Sequence, residues 1–341
     1  MKHAKIALLM LTYLSATACD MQKGCDTQQE SCHSFYGFVD GLYWRAYEDG
    51  LDYAITNNNG AVHINTCGQV ERAKFDRNGG FRIGESYYNE HRDMGLTAYW
   101  TRFGTKGNDC LSETFPVVLF PVWTNPGSTI TTAQNANACV RLDLNMLDAH
   151  LHAWFSPTCS VDIMPLLGVA YARINQTFNI NSNGGQSQGP VAIVLDDDID
   201  MCNDFWGVGP KVGIRSRWAL GCDFFISGNF DVALLYGRYK IKQHEEIAFS
   251  DEVAPTTFLD IACNRFAMCR PRLDLMLGLG WQTTLCDDSY HFDIQAGWEQ
   301  LYFFGQNQLM RFFDDVNAGA NMSVNGDLAL QGLTVRVGFG F

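Results

Sequence analysis

Arg272-Leu273-Asp274-Leu275-Met276-Leu277-Gly278-Leu279-Gly280-Trp281-Gln282 alternates apolar and polar residues without a break. Leu273, Leu275, Leu277, Leu279 and Trp281 fall on one face. Arg272, Asp274, Met276, Gly278, Gly280 and Gln282 fall on the other. A period of two is the pattern of a β-strand with one apolar side. The same pattern recurs outward from this run. Residues 290–299 set Tyr290, Phe292, Ile294, Ala296 and Trp298 against His291, Asp293, Gln295, Gly297 and Glu299. Residues 205–216 set Trp206, Val208, Pro210, Val212 and Ile214 against Gly207, Gly209, Lys211, Gly213 and Arg215. Residues 224–236 carry Phe224, Ile226, Phe230, Val232, Leu234 and Tyr236 on one side, and 140–146 alternate Val140, Leu142, Leu144 and Met146 with Arg141, Asp143 and Asn145. Weaker alternation covers 35–46, 80–88, 93–103 and 162–176. The chain finishes Leu333, Val335, Val337, Phe339, Phe341, interleaved with Thr334, Arg336, Gly338 and Gly340.

Alternation alone fits a soluble sandwich as well as a membrane barrel. Three features select the barrel. Short connections near 89–93, 157–161, 218–223 and 284–289 alternate with long ones at 47–79, 104–137, 177–202, 241–268 and 304–325, the pattern of periplasmic turns and extracellular loops. Trp154, Trp218, Trp281 and Tyr290 sit beside short turns, whereas Trp44, Trp100, Trp206, Tyr239 and Tyr302 sit toward the long-loop ends. Two interfacial aromatic girdles give that distribution. Charges such as Asp274 and Glu299 fall at strand centres, where a dry core would bury them at high cost. The expected fold is therefore all-β: a transmembrane antiparallel up-and-down barrel of about ten strands. The alternative is twelve, because the loop 104–137 contains Phe115-Pro116-Val117-Val118-Leu119-Phe120, a strand pair or an inward fold.

Residues 1–18 read as an export signal. Lys2, His3 and Lys5 form a basic start, Ile6 to Leu14 an apolar run too short to span a bilayer as a helix, and Ala16-Thr17-Ala18 a cleavage site. Residues 19–34 then form a periplasmic extension and 35–341 the barrel, in the bacterial outer membrane. Lipidation of Cys19 is the competing reading, disfavoured by Ala16 where a large aliphatic residue is usual. Aromatics at 13% and charged residues at 18% suit a β-rich chain with an apolar outer surface, not a disordered one. The net charge of −13 and the lack of a basic cluster argue against nucleic acid as a partner.

The lumen face is the candidate functional site. Arg272, Asp274 and Glu299 are expected near its outer end and His291 and Asp293 near its periplasmic end, with Lys211, Arg215 and Arg336 on other strands. Such charges form either a selective constriction or a salt-bridged plug in a narrow barrel. No catalytic residue, metal site or cofactor is expected. The His291/Asp293 pair is commonplace, neither G-x-S-x-G nor H-E-x-x-H is present, and Asp196-Asp197-Asp198-Ile199-Asp200 lacks the spacing of a calcium loop. The twelve cysteines imply an oxidising compartment. Cys159, Cys222 and Cys286 are placed in short turns, Cys25 and Cys32 in the extension, Cys67, Cys110, Cys202 and Cys263 in long loops, and Cys139 and Cys269 at outer strand ends. None is expected mid-strand. They staple loops within the chain or link neighbouring barrels.

The terminal aromatic strand, with Phe339 and Phe341, resembles the label read by the barrel-assembly machinery. Several stretches resemble the Legionella-type major outer-membrane protein family, a pore-forming group also found in chlamydia-like bacteria. They are Gly37-Phe38-Val39-Asp40-Gly41-Leu42-Tyr43-Trp44-Arg45-Ala46, Asn203-Asp204-Phe205-Trp206-Gly207-Val208-Gly209-Pro210, Leu235-Tyr236-Gly237-Arg238, Arg270-Pro271-Arg272-Leu273-Asp274-Leu275, Asn307-Gln308-Leu309-Met310-Arg311-Phe312, and Gly326-Asp327-Leu328-Ala329-Leu330-Gln331-Gly332-Leu333-Thr334. The resemblance implies an outer-membrane pore for passive diffusion of small solutes and, in cysteine-rich members, a disulfide-linked envelope. The alternative is a non-conducting structural or adhesive surface barrel whose loops bind other proteins.

Overall fold

The computed structural model describes residues 34–58, 68–89, 93–114, 117–128, 130–187, 193–250, 252–285, 290–317 and 319–341. The signal and extension expected at 1–33, and Cys19, Cys25, Cys32, Cys67 and Cys286, lie outside them.

Ten strands close into one antiparallel ring: β1 (Ser34–Glu48), β2 (Arg77–Asn89), β3 (Met94–Ser112), β4 (Asn135–Ala153), β5 (Val161–Asn183), β6 (Ile193–Gly221), β7 (Phe224–Phe249), β8 (Thr256–Leu285), β9 (Tyr290–Asn307) and β10 (Gly326–Gly340). Each pairs with its neighbours in sequence, and β10 closes on β1 from Tyr36↔Gly340 to Glu48↔Leu328. Closure satisfies every strand edge, the requirement for crossing lipid with sheet. The tight turns and the pair Ser34 and Phe341 share the periplasmic end. There the backbone of Phe341 both donates to and accepts from Phe35, at 2.9 and 2.8 Å, and the two rings stack at 5.9 Å. Cys222 and Asp223, at φ 51° and 65°, make the two-residue turn between β6 and β7, with the left-handed conformations that match strand twist.

Through the bilayer the apolar face points out, as the alternation requires. Leu277, Leu279, Val212, Phe230, Leu234, Val337 and Phe339 are all exposed to the surroundings of the barrel. Three long connections of the sequence reading need correction. Residues 104–112 and 135–137 are strand, as are 177–183, 193–202, 241–249 and 256–268, so that β5 to β8 run 23 to 30 residues. A tilted crossing needs only about 9–11 residues; the rest stands above the membrane.

In that outer part the phase of the alternation reverses. On β4, Val140, Leu142, Leu144 and Met146 point inward, each at most 1% exposed. By alternation alone they form the apolar face of an ordinary crossing. Farther down the same inward face come Asp148, His150 and His152, while Leu147 and Leu151 face lipid. β6 behaves alike: Ile199, Met201 and Phe205 point in, whereas Trp206 and Val208 point out. Above the membrane the outside is wet and the inside is filled, so the apolar side changes face. The reversal looks like a break in the strand when only periodicity is read.

The filling comes from the connections. Asp52–Asn57 pairs with Val70–Arg72 and with Val118–Pro121, a small sheet lodged inside the outer barrel. Leu119 is fully buried, and Val122 and Trp123 are nearly so. Of the two outcomes left open for 104–137, the chain takes the inward fold.

Candidate functional site

From the periplasm outward, the lumen has three layers. The first is a hollow of about 260 Å³ lined by Tyr36, Phe38, His152, Trp154, Arg215, Arg217, His291 and Asp293, among others. Tyr36 donates to Asp293 at 2.6 Å and Arg217 to Gln282 at 2.7 Å. Nε of Arg215 is buried with no partner among the described residues. Gly338 lies against this cluster; a Cβ there would meet the Tyr36 hydroxyl and the Asp293 carboxylate, whose side chains would have to shift.

The second layer closes the barrel. Arg336 donates to both oxygens of Asp40, at 2.7 and 2.8 Å. Arg82 reaches Asp40 at 3.1 Å and Glu299 at 2.6 Å, and Thr334 also donates to Glu299, at 2.7 Å. Across the lumen Arg272 meets Asp148 at 2.8 Å, and Lys211 lies 2.8 Å from Asp231 and 3.5 Å from Asp148. Tyr99 joins the two groups: Lys211 donates to its hydroxyl at 2.6 Å, and Arg82 lies over its ring at 5.4 Å. Asp40, Asp148 and Lys211 have no exposed surface, and Arg272, Glu299, Asp231, Arg82 and Asp274 have 1 to 8%. Five acids face four bases here, and Asp274 makes no ion pair among the described residues.

The third layer is apolar. Trp44 packs on Phe103 at 5.6 Å, and Phe205, Tyr239 and Phe266 form a ladder with centroid spacings of 4.7 and 5.1 Å. Trp123 stands edge-on to Phe178 at 5.9 Å and donates to the carbonyl of Asp52 at 2.6 Å.

The eight residues singled out for the lumen all project inward, but they do not form one constriction. Arg272, Asp274, Glu299 and Lys211 belong to the closing layer, His291, Asp293 and Arg215 to the periplasmic hollow, and Arg336 borders both. Arg272 and Glu299, both expected near the outer end of the lumen, bind different partners from other strands. The residues that complete the layer, Asp40, Arg82, Tyr99, Asp148 and Asp231, are not among the eight. Their signal was a lone charge or phenol between lipid-facing residues, as in Phe81-Arg82-Ile83 and Leu147-Asp148-Ala149.

Among the interface aromatics, Trp206, Trp218, Trp281 and Tyr290 face outward. Trp44 is a correction: 1% exposed, it points inward and donates to Thr334 at 3.0 Å. Trp154, 39% exposed just past the end of β4, borders the hollow beneath the Arg217 guanidinium, 5.8 Å from its ring. Tyr239, like Trp44, is buried inside, donating to Gln306 at 3.1 Å. Proximity to a strand end puts Trp44 and Tyr239 near an interface; strand parity turns them inward.

Cys110, Cys202 and Cys263, expected in long loops, lie within strands, and Cys139 and Cys269, expected at outer strand ends, lie farther inside theirs, because the strands outlast the bilayer. The acidic run at 196–200 is strand as well. Asp197 points inward, and among the described residues no cluster with the makings of a metal site is present.

A family model described as Legionella pneumophila major outer membrane protein precursor matches residues 31–341. The chain belongs to that family. Members are outer-membrane proteins, and a closed barrel with an apolar belt is what that location demands. The outer membrane protease OmpT from Escherichia coli is similar at 10% identity and a TM-score of 0.43, over 93% of this chain and 99% of that one. A Pseudomonas aeruginosa FadL homologue is similar at 7% identity and a TM-score of 0.29, over 91% and 90%. The Pseudomonas putida toluene transporter TodX is similar at 7% and 0.25, over 92% and 90%. At such identities and scores these likenesses carry nothing about activity. No curated protein matches the chain.

Proposed function

We propose that this protein is a structural barrel of the outer membrane whose lumen is shut at rest, and that small solutes cross it only when the closing layer parts. The carrying observation is the Asp40–Arg82–Glu299 and Lys211–Asp148–Arg272 layer, sealed at 0 to 5% exposure beneath an apolar core. Ten strands leave a bore that side chains can fill. The passive pore expected from the polar inward face keeps one supporting observation: its narrowest layer is held by ion pairs rather than by apolar packing. Charges separated by a thermal opening gain water, so such a layer can act as a gate.

Single-channel recording of the refolded protein in a planar bilayer tests this. The unmodified barrel should stay silent or open only rarely, whereas Arg82→Ser with Arg272→Ser should give frequent stepwise openings. Long-lived openings of the unmodified protein would overturn the closed-barrel reading in favour of a standing pore.

The envelope role extends to cross-linking. Cys110, Cys139, Cys263 and Cys269 are free and exposed on the outer wall, where thiols of adjacent barrels can meet under oxidising conditions. Non-reducing gels of envelopes alkylated on extraction should show multimers that collapse with reductant. A single monomer band with and without reductant would sink this role.

A further inference from the structure

The outer wall of β5 to β8 carries an arrangement that the solute path does not use. Two register rows cross it just above the lipid-facing belt. The lower reads Arg173, Trp206, Arg238, Ala267 and the upper Asn175, Asp204, Lys240, Arg265, each residue opposite the next. These side chains surround a hollow of about 800 Å³, bounded below by Tyr171 and floored by the backbone at Phe205, Tyr239 and Phe266.

Two facts set this hollow apart. In a chain with a net charge of −13, it gathers four bases and one acid. Lys240 and Arg265 also stand directly opposite one another on the same outward face. Side chains so placed are about 5 Å apart, and like charges there are destabilising. Arg238, Lys240 and Arg265 have no ion-pair partner among the described residues, and Arg173 donates only to Asn175, at 3.3 Å. The bases inside the barrel's closing layer are all paired. Asp204, opposite Lys240, balances one charge of the row, so the four bases keep a surplus of three beside the cavity, which is a site for an anion from outside the chain.

Position decides which anion. From Trp218 to Trp206 on β6, the lipid-facing aromatics mark out about 30 Å of membrane thickness, given a rise of about 3.3 Å per residue and a tilt near 40°. Arg173 and Arg238 flank Trp206, and Lys240 and Arg265 lie one row farther out. They therefore stand at the head-group level of the outer leaflet. Below them Tyr171, Val208 and Tyr236 offer an apolar track for acyl chains.

We propose that this hollow binds the phosphate-bearing head group of an outer-leaflet glycolipid. Arg238, Lys240 and Arg265 hold the phosphate through charge-assisted hydrogen bonds, Trp206 packs against the sugar, and the acyl chains run down the wall past Tyr171 and Tyr236. The site does not depend on whether the lumen conducts.

The test is native mass spectrometry of the full refolded protein, released from detergent containing bis-phosphorylated lipid A. Parallel samples contain the dephosphorylated lipid, or lipid A with inorganic phosphate in excess. Retention of one lipid A per barrel is expected, lowered about tenfold by R238A/K240A/R265A and by dephosphorylation. The control R77A/K106A/R141A, which takes equal charge from β2 to β4, should leave retention unchanged. Should the triple variant fail to fold, R265Q alone and raised salt on the unmodified protein must each still lower retention. Equal retention by the hollow and control variants would overturn the site. Displacement of the lipid by inorganic phosphate would overturn the lipid assignment in favour of a soluble phosphate.

Discussion

Lys211 shows most directly what single residues do here. Its ammonium lies between Asp148, Asp231 and the Tyr99 hydroxyl with no exposed surface. Removing one member of a buried ion cluster leaves the others uncompensated, at a cost of about 3–5 kcal/mol. Lys211→Ala should therefore lower the urea midpoint of the refolded barrel strongly. Lys211→Ala with Asp231→Ala should recover part of the loss. Equal midpoints for the two variants would mean that the carboxylates are hydrated and the layer is not closed. At the other end of the scale of burial, Phe341 acts through its ring on Phe35 and its backbone pairing with the same residue. Phe341→Ala should cost about 1 kcal/mol from the ring contact and slow assembly into membranes, read as the rate at which the heat-modifiable folded band appears on gels. An unchanged rate would remove the terminal ring from the assembly step.

Among the elements, the outer segment around residues 123–128 depends on protonation. Asn125 donates its backbone N–H to Glu245 at 2.8 Å, and Thr124 donates to Asp197 at 2.7 Å. Both acids lie on the strand extensions above the membrane. Burial raises the Glu245 carboxyl to about 8, with Asp197 adding repulsion, against the pull of the Asn125 N–H. Burial also raises Asp197 to about 6; its hydrogen bonds from Thr124 and Ser182 oppose this, while Asp198 and Asp196 add to it. A released segment would leave both near 4. The docked state therefore holds more protons between pH 4 and 8, and docking weakens as pH rises through that window. Hydrogen exchange of 119–128, corrected for its intrinsic pH dependence, should speed up from pH 5 to pH 9, and Glu245→Gln should abolish the upper part of that rise. A flat profile would place both acids in contact with water.

For the molecule as a whole, two independent layers close the bore: ion pairs at its middle and the apolar core with its inward-folded loops above. Deleting residues 117–128 removes part of the upper layer only. The deleted barrel should stay closed in planar bilayers, and openings should follow when Arg82→Ser and Arg272→Ser are added. Openings on loop deletion alone would mean that the ionic layer does not seal by itself.

Period-two alternation from β1 to Phe341, taken with the order of short and long connections, gives an antiparallel barrel of about ten strands. In lipid only a closed sheet with its apolar face outward satisfies every backbone group, so pattern and fold are tied by one requirement. The inward direction of Arg272, Asp274, Glu299, Lys211 and Arg336 was legible for the same reason. Whether those charges bordered water or one another was not. That depended on partners such as Asp148 and Arg82, brought opposite by ring closure, and on Leu119 and Trp123 folding back from a loop. Above the membrane the apolar face turns inward, which hid the strand extensions and misplaced Trp44 and Tyr239. Local sequence carries the phase of a strand; which side of it is wet is decided only once the interior has been filled.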